Sequence, residues 1–200
     1  MLVNLLPLLA LSTLALQPAP IPTQTPAAQP AVSVVKTTLP QKRLDFFIDL
    51  PAPVDQVWNC FATRAGVITW LSPDADIDLQ PGGHWYAKYP GAPAAGGIIV
   101  NFTPQQQITI HAMAPETFPN VRREGTTAVF TFVALDDSHT RLYLSQVGWK
   151  SGEEWDKAYA YLAQGNAYLL TGLRDRFVQG PVDWAKALSD DKPHPVAKNP

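Results

Sequence analysis

The stretch GWKSGEEWDKAYAYLAQGNAYLLTGLRDRF, Gly148–Phe177, decides how this chain folds. Trp155, Tyr159, Leu162, Asn166, Leu169, Leu173 and Phe177 recur at steps of three and four, which draws one stripe along an α-helix. Ser151 with Glu154 three positions later has the form of a capping box, and Glu153 adds negative charge where the helix dipole favours it. Gly180 and Pro181 end the helix. About 26 residues at 1.5 Å each make a rod of roughly 40 Å. A rod that long with one apolar side needs a second layer to cover.

Upstream segments supply that layer. RLDFFIDL (43–50) alternates like a strand, and a helix follows in PAPVDQVWNCFA, with Val54, Val57, Trp58 and Phe61 on one face. A second short helix is expected in GVITWLS, with Val67, Trp70 and Leu71 together. ADIDL, GHWYAKY, GIIVNFT, QITIHAM, TAVFTFVAL and TRLYLSQVG then read as six strands. Turn-forming PGG, TPQ and DDSH lie among them. Short connections favour antiparallel hairpins. Alternation puts Ile98, Val100, Phe102, Ile108, Ile110, Ala112, Phe130, Phe132, Leu142 and Leu144 on an apolar face. Asn101, Thr103, Gln107, Thr109, Thr127, Thr131 and Arg141 fall on a face suited to water. The expected fold is α+β: a curved antiparallel sheet of about seven strands wrapped on a long C-terminal helix.

The ends read differently. Residues 1–15 form an apolar run closing on Thr13 and Ala15, the small residues of a signal-peptidase site with cleavage after Ala15. The run is shorter than the ~20 apolar residues that span a bilayer, so no stable membrane anchor is expected after cleavage. Residues 16–40, rich in Pro and Ala, read as a spacer. The domain is expected over 41–184, and 185–200 read as a tail in which His194 is solvated. Cys60 is the only cysteine, which excludes an intrachain disulfide. A secreted or periplasmic protein is the expectation. A net charge of −2 offers no field to gather nucleic acid.

Two stretches, PAPVDQVWNCFATRAGVITWLSPDADIDLQPGGHW (51–85) and GWKSGEEWDKAYAYL (148–162), resemble the SRPBCC superfamily. That superfamily includes START lipid-transfer domains and birch-pollen allergens. The branch most similar is the one named after homologues of the heat-shock chaperone ATPase activator. The resemblance covers nearly all of 43–184 and implies a helix-grip fold with a cavity between sheet and helix, used across the superfamily for hydrophobic ligands. Similar sequences often carry a bulky aromatic where this chain has AQGNAY (163–168). Gly165 and Asn166 there would widen the cavity and set an amide on its wall.

The expected occupant is a small hydrophobic or aromatic molecule. Its lining would be Trp70, Trp85, Phe102, Ile110, Phe130, Phe132, Leu144, Gln146, Tyr159, Leu162 and Asn166. Gln146 and Asn166 either orient a polar group of the ligand or satisfy each other, since an amide buried without a partner costs about 1–3 kcal/mol. Chemistry-bearing patterns are sparse. The histidines at 84, 111, 139 and 194 show no metal-ligand spacing, and Asp74, Asp76 and Asp78 lack the glycine and distal glutamate of a calcium loop. No cofactor is implied. Only His84, placed at the expected cavity mouth, is a candidate acid or base. A binding module is therefore favoured over a cyclase- or hydratase-type enzyme and over a chaperone-activator-like interaction domain.

Overall fold

A computed structural model describes residues 32–39 and 41–189. Residues 1–15, read above as a signal run, most of the Pro/Ala stretch, and the tail from residue 190 with His194 lie outside the described residues. Eight strands form one antiparallel sheet: β1 (Ser33–Thr37), β2 (Arg43–Leu50), β3 (Asp74–Ile77), β4 (His84–Lys88), β5 (Ala95–Thr103), β6 (Gln107–Ala112), β7 (Thr126–Asp136) and β8 (His139–Val147). Their order across the sheet is β1-β2-β8-β7-β6-β5-β4-β3. The helices are α1 (Val54–Ala62), α2 (Arg64–Val67), α3 (Pro119–Glu124), α4 (Glu153–Gln179) and α5 (Trp184–Ser189). This is the helix-grip arrangement, with one strand more than expected. The addition is β1, which lies inside the segment read as spacer and pairs along the free edge of β2. Its exposed middle residues give no alternation to detect.

The sheet's inner face is built in rows. Phe46, Leu144, Phe130, Ile108 and Phe102 lie abreast from β2 to β5, and beside them run Leu44, Gln146, Ala128 and Ile110. On β5 the expected face is wrong for two residues. Ile99 pairs with Ile110 and Asn101 with Thr109, so Val100 is an extra residue opposite none. Such a bulge reverses the alternation. Ile99 and Phe102 therefore turn inward, while Ile98 and Val100 are exposed. Thr109, assigned to the watery side, is covered.

The helix α1 sits in the concave face as a plug, with Val57, Trp58, Cys60 and Phe61 buried. The carbonyls of its last turn lack helical partners, as at every helix end. Side chains from later in the chain supply them. Trp70 Nε1 donates to Cys60 O (2.9 Å), Trp85 Nε1 donates to Phe61 O (2.7 Å), and Thr63 Oγ1 donates to Asn59 O (3.1 Å). The second helix begins at Arg64, earlier than expected, because Thr63 Oγ1 also accepts from the Gly66 amide (2.9 Å).

The long helix α4 runs 27 residues and stops at Gly180, whose φ of 98° few other residues adopt. Its start corrects the capping box. Gly152 is the N-cap and no side chain caps it. Glu154 instead caps α3: its carboxylate accepts from the Asn120 amide (2.7 Å), the Val121 amide (3.1 Å) and Asn120 Nδ2 (2.6 Å). Phe118 and Val121 then pack with Trp155 and Ala158 in a small second core, which draws Trp155 away from the sheet. Beyond the expected boundary, α5 is tied back by Val182 N donating to Thr69 O (2.9 Å) and by Trp184 Nε1 donating to Ile68 O.

The Glu154 contact makes a pH prediction. Partial desolvation pushes this carboxyl up, but hydrogen bonds from Val121 and Asn120 outweigh it and hold the pKa below its ordinary 4.5. A carboxyl whose folded pKa is lowered stabilises fully above its ordinary value and loses that contribution as pH falls through the lowered one. Protection of the Asn120 and Val121 amides from hydrogen exchange, relative to the intrinsic rate at each pH, should therefore fall below about pH 4.5, and Glu154→Gln should flatten that acid-side dependence. A variant whose protection follows the same pH profile as wild type between pH 3 and 6 would refute the cap.

Candidate functional site

The concave face is divided between a packed half and a looser half. On the α1 side Phe61 meets Trp70, Trp85, Phe130 and Phe132 at ring-centroid distances of 5.3, 6.2, 5.0 and 5.3 Å. Trp58 meets Phe132 edge-on at 5.4 Å. With their indole N–H groups spent on α1 carbonyls, Trp70 and Trp85 are core and cap, not lining. Phe132 is core as well. The cavity implied across the whole face is thus filled at this end.

On the other side α4 approaches β2 and β1 more closely than any other strand. Leu162, Asn166 and Leu169 point inward yet remain half-buried. Beneath them the sheet presents a small residue, Ala128, between Ile110 and Gln146. Ala128 and Phe130 each keep 7% of their surface accessible, and Trp58 keeps 8%, whereas Leu142, Leu170 and Leu173 keep none. This part of the inner face is shared by Ala128, Phe130, Gln146, Ile110 and Leu144 on the sheet and by Leu162, Asn166 and Leu169 on α4, with Phe102 beside Trp58 (6.4 Å). Gly165 lies about 100° around the helix from Asn166, and a Cβ built there would meet nothing within 4 Å.

A short polar chain crosses this apolar wall. Asn166 Nδ2 donates to Gln146 Oε1 (2.9 Å), and Gln146 Nε2 donates to Thr126 Oγ1 (2.8 Å). Gln146 and Thr126 are each 4% exposed, so these bonds meet the requirement that buried amides be paired. The two amides satisfy each other, one of the two outcomes expected for them.

Other expected site residues lie elsewhere. Tyr159 is held at the start of β2, its hydroxyl 2.9 Å from Arg43 O and 3.2 Å from Thr37 O, with its ring edge-on to Trp149. His84 does not face the cavity. Trp85 and Ala87 are the inward residues of β4, so His84 and Tyr86 project from the outer face and stack there (5.1 Å). His84 Nε2 lies 2.9 Å from Asp76 Oδ1 but makes no aligned hydrogen bond. The neighbouring acids are paired with cations, Asp74 with Arg64 and Asp76 with Lys88. Burial pushes the Cys60 thiol up despite Arg176 and Thr69 nearby, so the thiolate is disfavoured.

Among the described residues no three His, Cys, Asp or Glu side chains gather as metal ligands, and no helix is long and apolar enough to cross a membrane. Two open depressions of about 500 and 520 Å³ lie at the β1–β2 turn and under α3, rimmed by Lys42, Arg43, Arg122 and Arg123. Neither is between α4 and the sheet. Sequence reasoning missed Ala128, Leu169 and Thr126. Ala128 was available from the alternation that selected Phe130 and Phe132.

Comparison with known proteins follows the same outline. The Aha1 dimer of Colwellia psychrerythraea shares the fold at 16% identity and a TM-score of 0.56, covering 69% of this chain and 97% of that one. CalU16 of Micromonospora echinospora does so at 19% identity and 0.54, covering 80% and 91%. Protein MLL2253 of Mesorhizobium loti does so at 13% and 0.56, covering 69% and 99%. No curated protein matches by sequence. Residues 51–177, from the proline before α1 to the last turns of α4, match the family described as Activator of Hsp90 ATPase homolog 1-like protein, and the chain belongs to that family.

Proposed function

We propose that this protein binds a small apolar or aromatic molecule in the gap between α4 and the central strands, and that it does so as an exported protein. The observation that carries the first part is the half-buried state of Leu162, Asn166 and Leu169 over the small Ala128. Apolar side chains left short of contact on an inner face are what a ligand completes. The apolar run at 1–15, with its small residues at 13 and 15, supports export. Acid–base catalysis in the gap finds less support. Among the described residues no carboxylate, imidazole or amine is buried, and the polar wall groups are neutral amides and a hydroxyl.

Filling the gap from the protein side tests this. Ala128→Leu places a larger apolar side chain where the ligand would sit. It should keep the stability of the empty protein or raise it by about 0.5–2 kcal/mol, as cavity filling does. Native mass spectrometry of wild-type protein from its own host should show a copurified mass, and the variant should lack it. A solidly packed interior predicts the reverse, a loss of about 1–3 kcal/mol from overpacking. That loss, together with wild-type protein that carries no mass and shows no thermal shift with apolar probes, would overturn the assignment.

A further inference from the structure

The polar chain on the wall of the gap defines which ligands fit, an inference that rests on the binding role just described. Both of its hydrogen bonds run the same way, each amide nitrogen donating toward the sheet. Gln146 Oε1 accepts one bond, and Thr126 Oγ1 receives Gln146 Nε2. Gln146 keeps a second lone pair and a second N–H, but it is 4% exposed, so the capacity open to a ligand is at the half-buried Asn166, which has one further N–H and the carbonyl oxygen Oδ1. Among the described residues no donor reaches that oxygen, and it is not among the atoms sealed from solvent without a partner. Its orientation is fixed by the bond to Gln146, which is 4% exposed and itself anchored. A pre-set amide of this kind needs no rearrangement to take a ligand.

Charge narrows the class further. The residues around the amide are Ala128, Phe130, Leu162 and Leu169, and no described Lys, Arg, Asp, Glu or His is buried on this face to balance an ion. An ion placed there loses its hydration without gaining a counter-charge. We propose that the site selects an uncharged molecule with an apolar or aromatic body and one hydrogen-bonding group, such as a hydroxyl or amide. That group sits against Asn166, donating to Oδ1, accepting from Nδ2, or both. Asn166 is a specificity-determining residue, and Gln146 and Thr126 position it.

Matched probes separate this from the binding role itself. Titration of the full-length protein with naphthalene, 1-naphthol and 1-naphthoate at pH 7 compares no polar group, a hydroxyl and an anion on one body. 1-Decanol and decanoate repeat the comparison on a flexible one. The hydroxyl compound should bind about 3–10-fold more tightly than naphthalene, the net effect of one hydrogen bond. The anions should bind about 100-fold or more weakly than their neutral partners. Asn166→Leu should retain naphthalene and lose the hydroxyl preference, and Asn166→Ser should restore part of it in a protein of unchanged helix content. Equal affinity for naphthalene and 1-naphthol in wild type, or tighter binding of the anions, would overturn the selectivity and leave the binding role standing. No binding of any probe on either body would overturn both.

Discussion

Phe61→Ala should lower the stability of the domain by about 3–5 kcal/mol, the range for emptying a phenyl-sized volume in a core. Phe61 is fully buried, and its ring sits within 5.0–6.2 Å of four others, from Trp70 to Phe132. Those neighbours come from the α2 turn, β4 and β7, so one side chain joins three parts of the fold. The surrounding rings cannot collapse into the vacancy, because two of them are tethered through their indole N–H groups to α1 carbonyls. In a domain of this size the loss corresponds to a fall of roughly 6–20 °C in Tm. Urea unfolding at unchanged m would measure it. A cost under about 1 kcal/mol would show that α1 is not the plug described here.

The second large effect is expected at a residue with no side chain. A Cβ added to Gly66 would stand 1.7 Å from Asn59 O, 2.5 Å from Asn59 C and 2.9 Å from Cys60 Cα. All three are backbone atoms, so no flexible group can move aside. The conformation of Gly66 is ordinary, and what the position requires is space. Gly66→Ala must push α2 away from α1, which strains the Gly66 amide's bond to Thr63 Oγ1 and draws Trp70 from Cys60 O. Overpacking of this kind costs about 1–3 kcal/mol. Near-UV circular dichroism should report the displaced indole alongside the lowered Tm. Gly165→Ala is the control. Nothing lies within 4 Å of its added Cβ and the helix is regular there, so a gain of up to about 1 kcal/mol is expected. Should Gly66→Ala prove as neutral as Gly165→Ala, the close approach of α1 and α2 is misdescribed.

These two residues illustrate what becomes visible at which level. Phe61 falls on the helical spacing of Val54, Val57 and Trp58, so its inward direction is a property of a dozen consecutive residues. Nothing local to Gly66 announces that Asn59 O will press against it. The same division holds for the site. Alternation and helical period put Ile110, Phe130, Leu144, Gln146, Leu162 and Asn166 on the inner face, where the structure has them. The same periods select Trp70, Trp85, Phe132 and Tyr159, which the structure uses as core or tether. Period gives direction, and gives no measure of what waits at the other end. His84 was misplaced because a turn residue's phase is set by the partner strand, here through Ile77 and Gly97 flanking Trp85.

The amino-acid sequence by itself determined the order of the strands from β2 onward with α1, α2 and α4 among them, the antiparallel sheet and the covering helix, because these follow from patterns repeated every two or 3.6 residues, whereas the six-residue α3 and α5 are too short to show one. Tertiary structure alone decided the bulge at Val100, the capping of α3 by Glu154 across 34 residues, the bonding of indoles to α1, and the Asn166–Gln146–Thr126 chain. Each of these is a contact between segments whose separation along the chain carries no periodic signal. The free energy that sets them exists only once the sheet has brought those segments together.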